Sequence, residues 1–287
     1  MRSSGFEVKA GLGAFGAEVT VDLNAPLDDA SRQTLRDLLW EHEMLVFRGQ
    51  DLTHARQIEV MEVFAPVLHT PEGAHYISTE KDKGVLGRQE LPFHSDLSFV
   101  ATPRLALSLH AVDVVDGETS TKFVSATRAV DRLPSALRDR LQALKGLQVY
   151  PLDPYMDRAS DQALPAWLPR HAHPVLMPHP VADKTILYVM EMQTVRVEGL
   201  PIDESRSLIE DLLGRLYTPD NLVEHFWFKG DIVIWDNVAL QHARGVIETS
   251  GPRTLQKVQT GIESFEQQWP AYSGREMQAA LSAMAMA

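Results

Sequence analysis

Two short stretches, far apart in the chain, carry residues suited to metal chemistry. Phe93-His94-Ser95-Asp96-Leu97 lies in a region of strand character. Residues i and i+2 of a strand project to the same side, so the His94 imidazole and the Asp96 carboxylate are expected to enter one cavity together. Downstream, the apolar run DIVIWDN is followed by Val238-Ala239-Leu240-Gln241-His242, which supplies a second imidazole. Two histidines and one carboxylate on one face of a metal ion form a facial triad that leaves the opposite face open, and iron(II) is the metal that uses it. A His-x-Asp tripeptide recurs by chance in many chains. What adds specificity is the distal histidine after a Gly-Asp turn and strand, with Arg253 eleven residues beyond it (242 to 253). The sequence has no cysteine, so a metal must be held by nitrogen and oxygen, and disulfides or cysteine nucleophiles are excluded.

Elements able to position these residues follow from the hydrophobic pattern. GAEVTVDL in the 13–23 region reads as a strand. Asp28 or Asp29 then caps a helix over DASRQTLRDLLWEH, where Leu35, Leu38 and Leu39 share a face. LVFRG at 45–49 is a short buried strand, and HARQIEVMEVFAPV is helical up to Pro66. From about residue 92 the texture turns to short β-like runs, LALSLHAVDVV at 105–115 and KFVSA at 122–126. A helical stretch interrupted at Pro134 follows, and then 150–180, rich in Pro and His, reads as a long loop. After TILYVM at 185–190, DESRSLIEDLLGRLYT is an amphipathic helix with Leu208, Leu212 and Leu216 in line. EHFWFKGDIVIWDNVALQHARGVI and RTLQKVQTGI give three strand-like runs, separated by turns at Lys229-Gly230-Asp231 and Ser250-Gly251-Pro252. The terminal EMQAALSAMAMA is helix-prone without a clear partner face and reads as a tail or oligomer contact.

Composition bounds the possibilities. With 44% hydrophobic and 23% charged residues over 287 positions, the chain is expected to fold as one globular catalytic domain, 1–287. A net charge of −12 argues against a nucleic-acid partner, whose phosphates call for a basic surface. No run approaches the length of a membrane span, and MRSSGFEVKAGLGAFGAEV lacks the apolar core of a signal peptide, so a cytoplasmic location is expected.

Over roughly residues 15 to 260 the chain resembles the TauD/TfdA family (taurine and chlorophenoxyacetate dioxygenases) of iron(II)- and 2-oxoglutarate-dependent oxygenases. GAEVT-VDLNAPLDDA and LVFRGQDLT are similar to the family opening, and FHSDLSF to its first metal motif. HPVLMPHP with ILYV is similar to its middle segment, and GDIVIWDNVALQHAR followed by Arg253 to its second metal and cosubstrate motif. The resemblance implies a mainly β fold with flanking helices around a double-stranded β-helix, a cupin-like jelly-roll. It also implies an insertion around 127–183 that forms part of the active-site cover. His94, Asp96 and His242 would bind Fe(II), and Arg253 would pair bidentately with the distal carboxylate of 2-oxoglutarate, a task that suits a planar guanidinium. A threonine assists this carboxylate in the family; in GETSTKF it is Thr121 or Thr119, with Thr121 preferred because KFVS follows it. The reaction implied consumes O2 and 2-oxoglutarate, yields succinate and CO2, and oxidises a small-molecule substrate, most usually by C–H hydroxylation. Homo-oligomers, dimers or tetramers, are frequent in the family.

Departures from the family pattern bear on the substrate. Where sulfonate-using members have a second arginine four residues after the first, this chain has Lys257. On a strand Arg253, Leu255 and Lys257 share a face, so Lys257 either meets an anionic substrate group or is a solvated rim lysine. His69 and His75 lie where related enzymes place substrate contacts. Phe93 replaces a tryptophan common before the first metal histidine. Trp235, Asp236 and Asn237 are expected to support the strand and turn that aim His242. His171 and His173 have no third ligand nearby in sequence and read as structural, as do His110 and His225. Three alternatives stay open on sequence alone: desaturation, epoxidation or cyclisation by the same cofactors; a zinc hydrolase at the same triad; and a non-catalytic, cupin-like metal-binding protein.

Overall fold

The computed structural model describes residues 6–68, 76–80, 82–150, 164 and 168–270; His69, His75 and the terminal EMQAALSAMAMA lie outside the described residues. An eight-stranded sheet runs in the order Glu7–Ala10, Ala17–Thr20, Met44–Phe47, Ile232–Asp236, Ala106–Val114, Arg253–Gln259, Tyr76–Ser78, Val85–Leu86. A four-stranded sheet, Leu222–Phe226, Ser120–Ser125, Leu240–Arg244 and Leu91–His94, faces its central strands. Val46, Leu107, Leu109, Val233, Trp235 and Leu255 from the large sheet interdigitate with Phe123, Val223 and Leu240 from the small one. This is the jelly-roll expected from the family resemblance.

The large sheet is covered on both faces, which explains the unbroken apolar run of Ile232–Asp236. Val233 and Trp235 point into the barrel, whereas Ile232 and Ile234 point out against Leu35 and Leu39 of helix Asp29–His42 and Val60 and Met61 of helix His54–Met61. Each such fully buried side chain contributes about 1.5–3 kcal/mol. Helix Asp29–His42 starts where the Asp28 carboxylate accepts Ser31 N at 2.8 Å. It stops at Glu43, whose left-handed backbone (φ 66°) turns the chain directly into strand Met44–Phe47. The buried Glu43 carboxylate is satisfied by Ser125, Thr127 and, at 3.1 Å, Lys184 Nζ.

Two sequence expectations need correction. The run from Asp231 to Ile247 is not one strand but two, Ile232–Asp236 and Leu240–Arg244, which belong to opposite sheets. Asp236 breaks it: its Oδ1 accepts both Val238 N and Ala239 N at 3.0 Å, a local side-chain turn that competes with the sheet ladder. The stretch 150–180 is not simply a loop either, since Arg170–Pro174 pairs with Lys145–Val149 and Leu176–Pro178 pairs with Thr185–Leu187. Its prolines sit at positions where the missing N–H is tolerated, and they mask the strand signal. The interruption at Pro134 separates helices Ala126–Asp131 and Ser135–Leu141, which share a core with helix Ile202–Leu216 through Val130, Leu133, Leu141, Leu208 and Leu212. Among the described residues no helix is long and apolar enough to cross a membrane.

The turn into Ile232–Asp236 depends on Gly230. It has φ +82°, its N–H donates to Ala111 O (2.9 Å) and its carbonyl accepts Gln50 N (2.7 Å). A Cβ there would stand 2.9 Å from Gln50 O, a backbone atom with no freedom to move away. Gly230→Ala is expected to cost about 1–3 kcal/mol. In urea unfolding this reads as a lower midpoint at unchanged slope; an unchanged midpoint would show that the turn relaxes freely.

Candidate metal and anion site

Antiparallel pairing of Leu240–Arg244 with Leu91–His94 sets His242 directly opposite His94, with ring centroids 4.2 Å apart. His94 Nδ1 lies 2.8 Å from Pro92 O, an acceptor only, so Nδ1 carries the proton and Nε2 turns a lone pair inward. Asp96 Oδ1 is 3.4 Å from His94 Nε2 and 3.7 Å from His242 Nε2. One donor atom from each residue lies within 4.8 Å of the others. Donors about 2.1 Å from a six-coordinate ion stand about 3 Å from each other, so small side-chain shifts close these three onto a metal. All three donors are nitrogen or oxygen, as an iron(II) triad requires.

Electrostatics keep the donors in ligating form. Burial, helped by His94 and Lys257, holds the His242 imidazole well below its usual range and so neutral at pH 7, against the opposing pull of Asp96. Burial alone would raise the Asp96 carboxyl. The Lys257 ammonium, ahead of the smaller effects of the two imidazoles, outweighs it and holds Asp96 well below the usual carboxylate range. Lys257 pairs directly with Asp96 Oδ2 while Oδ1 faces the two imidazoles. Lys257 therefore lines the cavity and is not a rim lysine.

Asp96 reaches the site by a different route from that expected. Strand Leu91–His94 has ended, and Asp96 sits in the turn that follows, with Leu97 at φ 56°. Asn237 fixes this turn: its Oδ1 accepts Asp96 N (2.9 Å), and its Nδ2 donates to Asp96 O and Arg104 O (both 3.1 Å). Next to it, Asp236 Oδ2 lies 2.9 Å from His179 Nε2 with both side chains fully buried, and His179 Nδ1 accepts Val181 N and Ala182 N. Asp236 and Asn237 thus hold the bend that aims His242 and Asp96, as expected, and Trp235 adds an edge-on contact to His242 at 5.0 Å. The role of His179 was not visible in sequence, where it is one histidine among prolines.

The same cavity, about 50 Å³, is cationic at one end. Arg253 is 2% exposed, and its Nε and Nη1 have no partner among the described residues. Burial, followed by the nearby Arg244 charge, lowers its pKa to about 9, still cationic at neutral pH. A buried guanidinium without an acid is costly, and an anion arriving from solvent relieves that cost. Thr121 lines the cavity, whereas Thr119 is found in the wall of a separate outer pocket with Glu118 and Arg244. Trp227 Nε1 donates to Thr121 Oγ1 at 3.0 Å, which leaves the hydroxyl proton of Thr121 available to an incoming acceptor. Sequence reasoning missed Arg244, although it sits two residues after His242 on one strand and so faces the same way. His173 Nε2 is spent on Val100 O (2.9 Å), consistent with a structural histidine. None of the described residues of 127–183 lines the cavity; its mouth is built by Ile77, Leu86 and Leu91.

Because Asn237 holds the backbone of Asp96 and not its carboxylate, Asn237→Ala is expected to weaken metal binding roughly 10–100-fold while leaving all three donors present. Titration with iron(II) or manganese(II) measures this, and wild-type affinity would show that the turn keeps its shape without the amide.

Comparison with known proteins agrees with this geometry. The sequence is 28% identical over 267 residues to an alpha-ketoglutarate-dependent sulfate ester dioxygenase of Pseudomonas putida, covering 86% of each chain. It is 27% identical over 265 residues to the alpha-ketoglutarate-dependent 2,4-dichlorophenoxyacetate dioxygenase of Cupriavidus pinatubonensis, covering 84% of this chain and 92% of that one. The crystal structure of a taurine dioxygenase from Burkholderia xenovorans superposes with a TM-score of 0.76 at 24% identity, over 90% of this chain and 91% of that one. A family model described as taurine catabolism dioxygenase TauD, TfdA family matches residues 7–259, and the chain belongs to that family.

Proposed function

We propose that this protein is an Fe(II)- and 2-oxoglutarate-dependent dioxygenase that hydroxylates a C–H bond of a small anionic organic molecule, releasing succinate and CO2. The observation that carries the reading is the coexistence, in one cavity, of a two-histidine, one-carboxylate donor set and a buried guanidinium lacking any acid partner among the described residues. A zinc hydrolase has use for the former and none for the latter. With iron and 2-oxoglutarate bound, the cofactors supply the activation of O2 and the oxidising power.

The chain's own residues bind, orient and exclude water. His94, Asp96 and His242 would hold the metal. Arg253 and the Thr121 hydroxyl receive the distal carboxylate, and Phe123 and Trp235 shape the apolar wall behind His242. Lys257 supplies a positive charge next to the metal ligands, suited to a sulfate, sulfonate or carboxylate on the substrate. The relatives named for sulfate esters and for 2,4-dichlorophenoxyacetate support an anionic substrate class.

Anaerobic titration with iron(II) and 2-oxoglutarate tests the cofactor assignment. Wild type is expected to give the weak visible charge-transfer band of the metal-bound keto acid, and His94→Ala to lose it. Arg253→Ala is expected to need roughly 100-fold more 2-oxoglutarate, as befits two charge-assisted hydrogen bonds of about 1.5 kcal/mol each. No iron binding and no band in wild type would overturn the oxygenase reading. For the substrate, succinate release is screened over alkyl sulfates, sulfonates and aryloxy carboxylates. Lys257→Gln is expected to keep the band and raise KM for the active anion about tenfold or more, and an unchanged KM would remove Lys257 from substrate binding.

A further inference from the structure

Arg244 combines three features that the cofactor assignment above leaves unexplained. It closes strand Leu240–Arg244, and the register Ala243↔Lys122 sets it beside Thr121. With Thr121 and Arg253 it lines the cavity while 95% buried, and its Nε and Nη1 have no partner among the described residues. Its remaining nitrogen, Nη2, reaches the other way and donates to Leu86 O (3.0 Å) and Gln89 O (2.6 Å). One guanidinium therefore has two donors without a partner among the described residues, lines the cavity, and holds two carbonyls of the segment that roofs it.

That roof is lightly attached. Strand Val85–Leu86 pairs with the barrel over only two residues, Ile77↔Val85 and Ser78↔Leu86. Leu86 and Gly87 both have positive φ (70° and 46°), and the Val85 and Leu86 side chains are 41% and 39% exposed. Besides Arg244, its anchors include Ile247 N donating to Arg88 O at 3.0 Å and the Arg88 guanidinium on Thr249 O. Leu86 of this segment lies in the lining of the cavity, together with Leu91 where the segment joins strand Leu91–His94. The other cavity residues are carried by barrel strands or by the Asn237-clamped turn. Of the cavity's walls, the one carried by the shortest strand is the 85–91 segment.

We propose that Arg244 is a second cationic contact for the distal carboxylate of 2-oxoglutarate and that, through Leu86 and Gln89, it closes residues 85–91 over the bound cosubstrate. The inference rests on the cofactor reading above. Two buried guanidinia facing one cavity repel each other until a carboxylate lies between them, and the fork geometry of arginine lets one side chain hold an anion and backbone carbonyls together. Keto-acid binding and roof closure are then one event. Lysine, a single point donor, is unable to serve both.

The test uses the full-length protein with iron(II) and 2-oxoglutarate under anaerobic conditions, reading cosubstrate affinity from the charge-transfer band and hydrogen exchange of the 82–91 peptide. In wild type, 2-oxoglutarate is expected to slow exchange of that peptide. In Arg244→Met, iron affinity and the band at saturation are retained, the 2-oxoglutarate Kd rises about tenfold or more, and the peptide exchanges fast with or without cosubstrate. Arg244→Lys is expected to recover part of the affinity and none of the protection. Wild-type Kd in Arg244→Met, or protection by 2-oxoglutarate equal to wild type in either variant, would overturn the role of Arg244 while leaving the cofactor assignment intact. Failure of wild type to bind 2-oxoglutarate at all would sink both.

Discussion

The antiparallel register between Leu91–His94 and Leu240–Arg244 is the constraint on which the rest depends. It brings His242 opposite His94 from the far end of the chain, and every other feature of the site is built around that pair. Because side chains alternate with a period of two, a slip of one residue would turn His242 and Arg244 out of the barrel and Gln241 and Ala243 in. The slip is blocked from both ends. Gln241 is committed on the opposite face, its Nε2 to Val189 O (2.7 Å) and its Oε1 to Tyr217 OH (2.7 Å). The Asp236–Asn237 turn fixes where the strand begins.

Charge inside the barrel runs counter to charge overall. The protein carries a net −12, yet the ionisable cavity lining consists of Arg244, Arg253 and Lys257 against Asp96, besides the two imidazoles. A metal ion adds further positive charge. Such an interior is stable only with anions as its guests, because in a low-dielectric site each unpaired cation is expensive. The acidic outer surface and the cationic interior thus carry opposite charge, and only the interior selects for anions.

Much of this was legible in the sequence, and the exceptions have physical causes. Helix Asp29–His42 was readable because Asp28 caps it and Leu35 and Leu39 repeat at the helical period. That His94, Asp96, His242, Arg253 and Thr121 meet in one cavity was readable because ordered motifs fix both residue type and spacing. What escaped depends on long-range partners. The break at Asp236 is a side-chain turn within an apolar run, and it looks continuous until Asp236 is seen to cap Val238 and Ala239. Strands Arg170–Pro174 and Leu176–Pro178 were obscured by proline, and the buried pairing of His179 with Asp236 joins segments with no common motif. Lys257 was correctly placed on the face of Arg253, but its contact with Asp96 requires the large sheet to be closed over the metal turn. Arg244 was overlooked because nothing in its local sequence says that its guanidinium has no acid to meet.

The Lys257–Asp96 ion pair has a consequence for how the site acquires its metal. Ligand groups usually have to shed protons before they coordinate, which makes metal uptake dependent on acidity. Here the internal ammonium already holds Asp96 as a carboxylate, and burial already keeps His242 neutral. At neutral pH these two ligands then have no proton to shed when a metal ion exchanges its bound water for protein donors, so two of the three positions stand ready to coordinate.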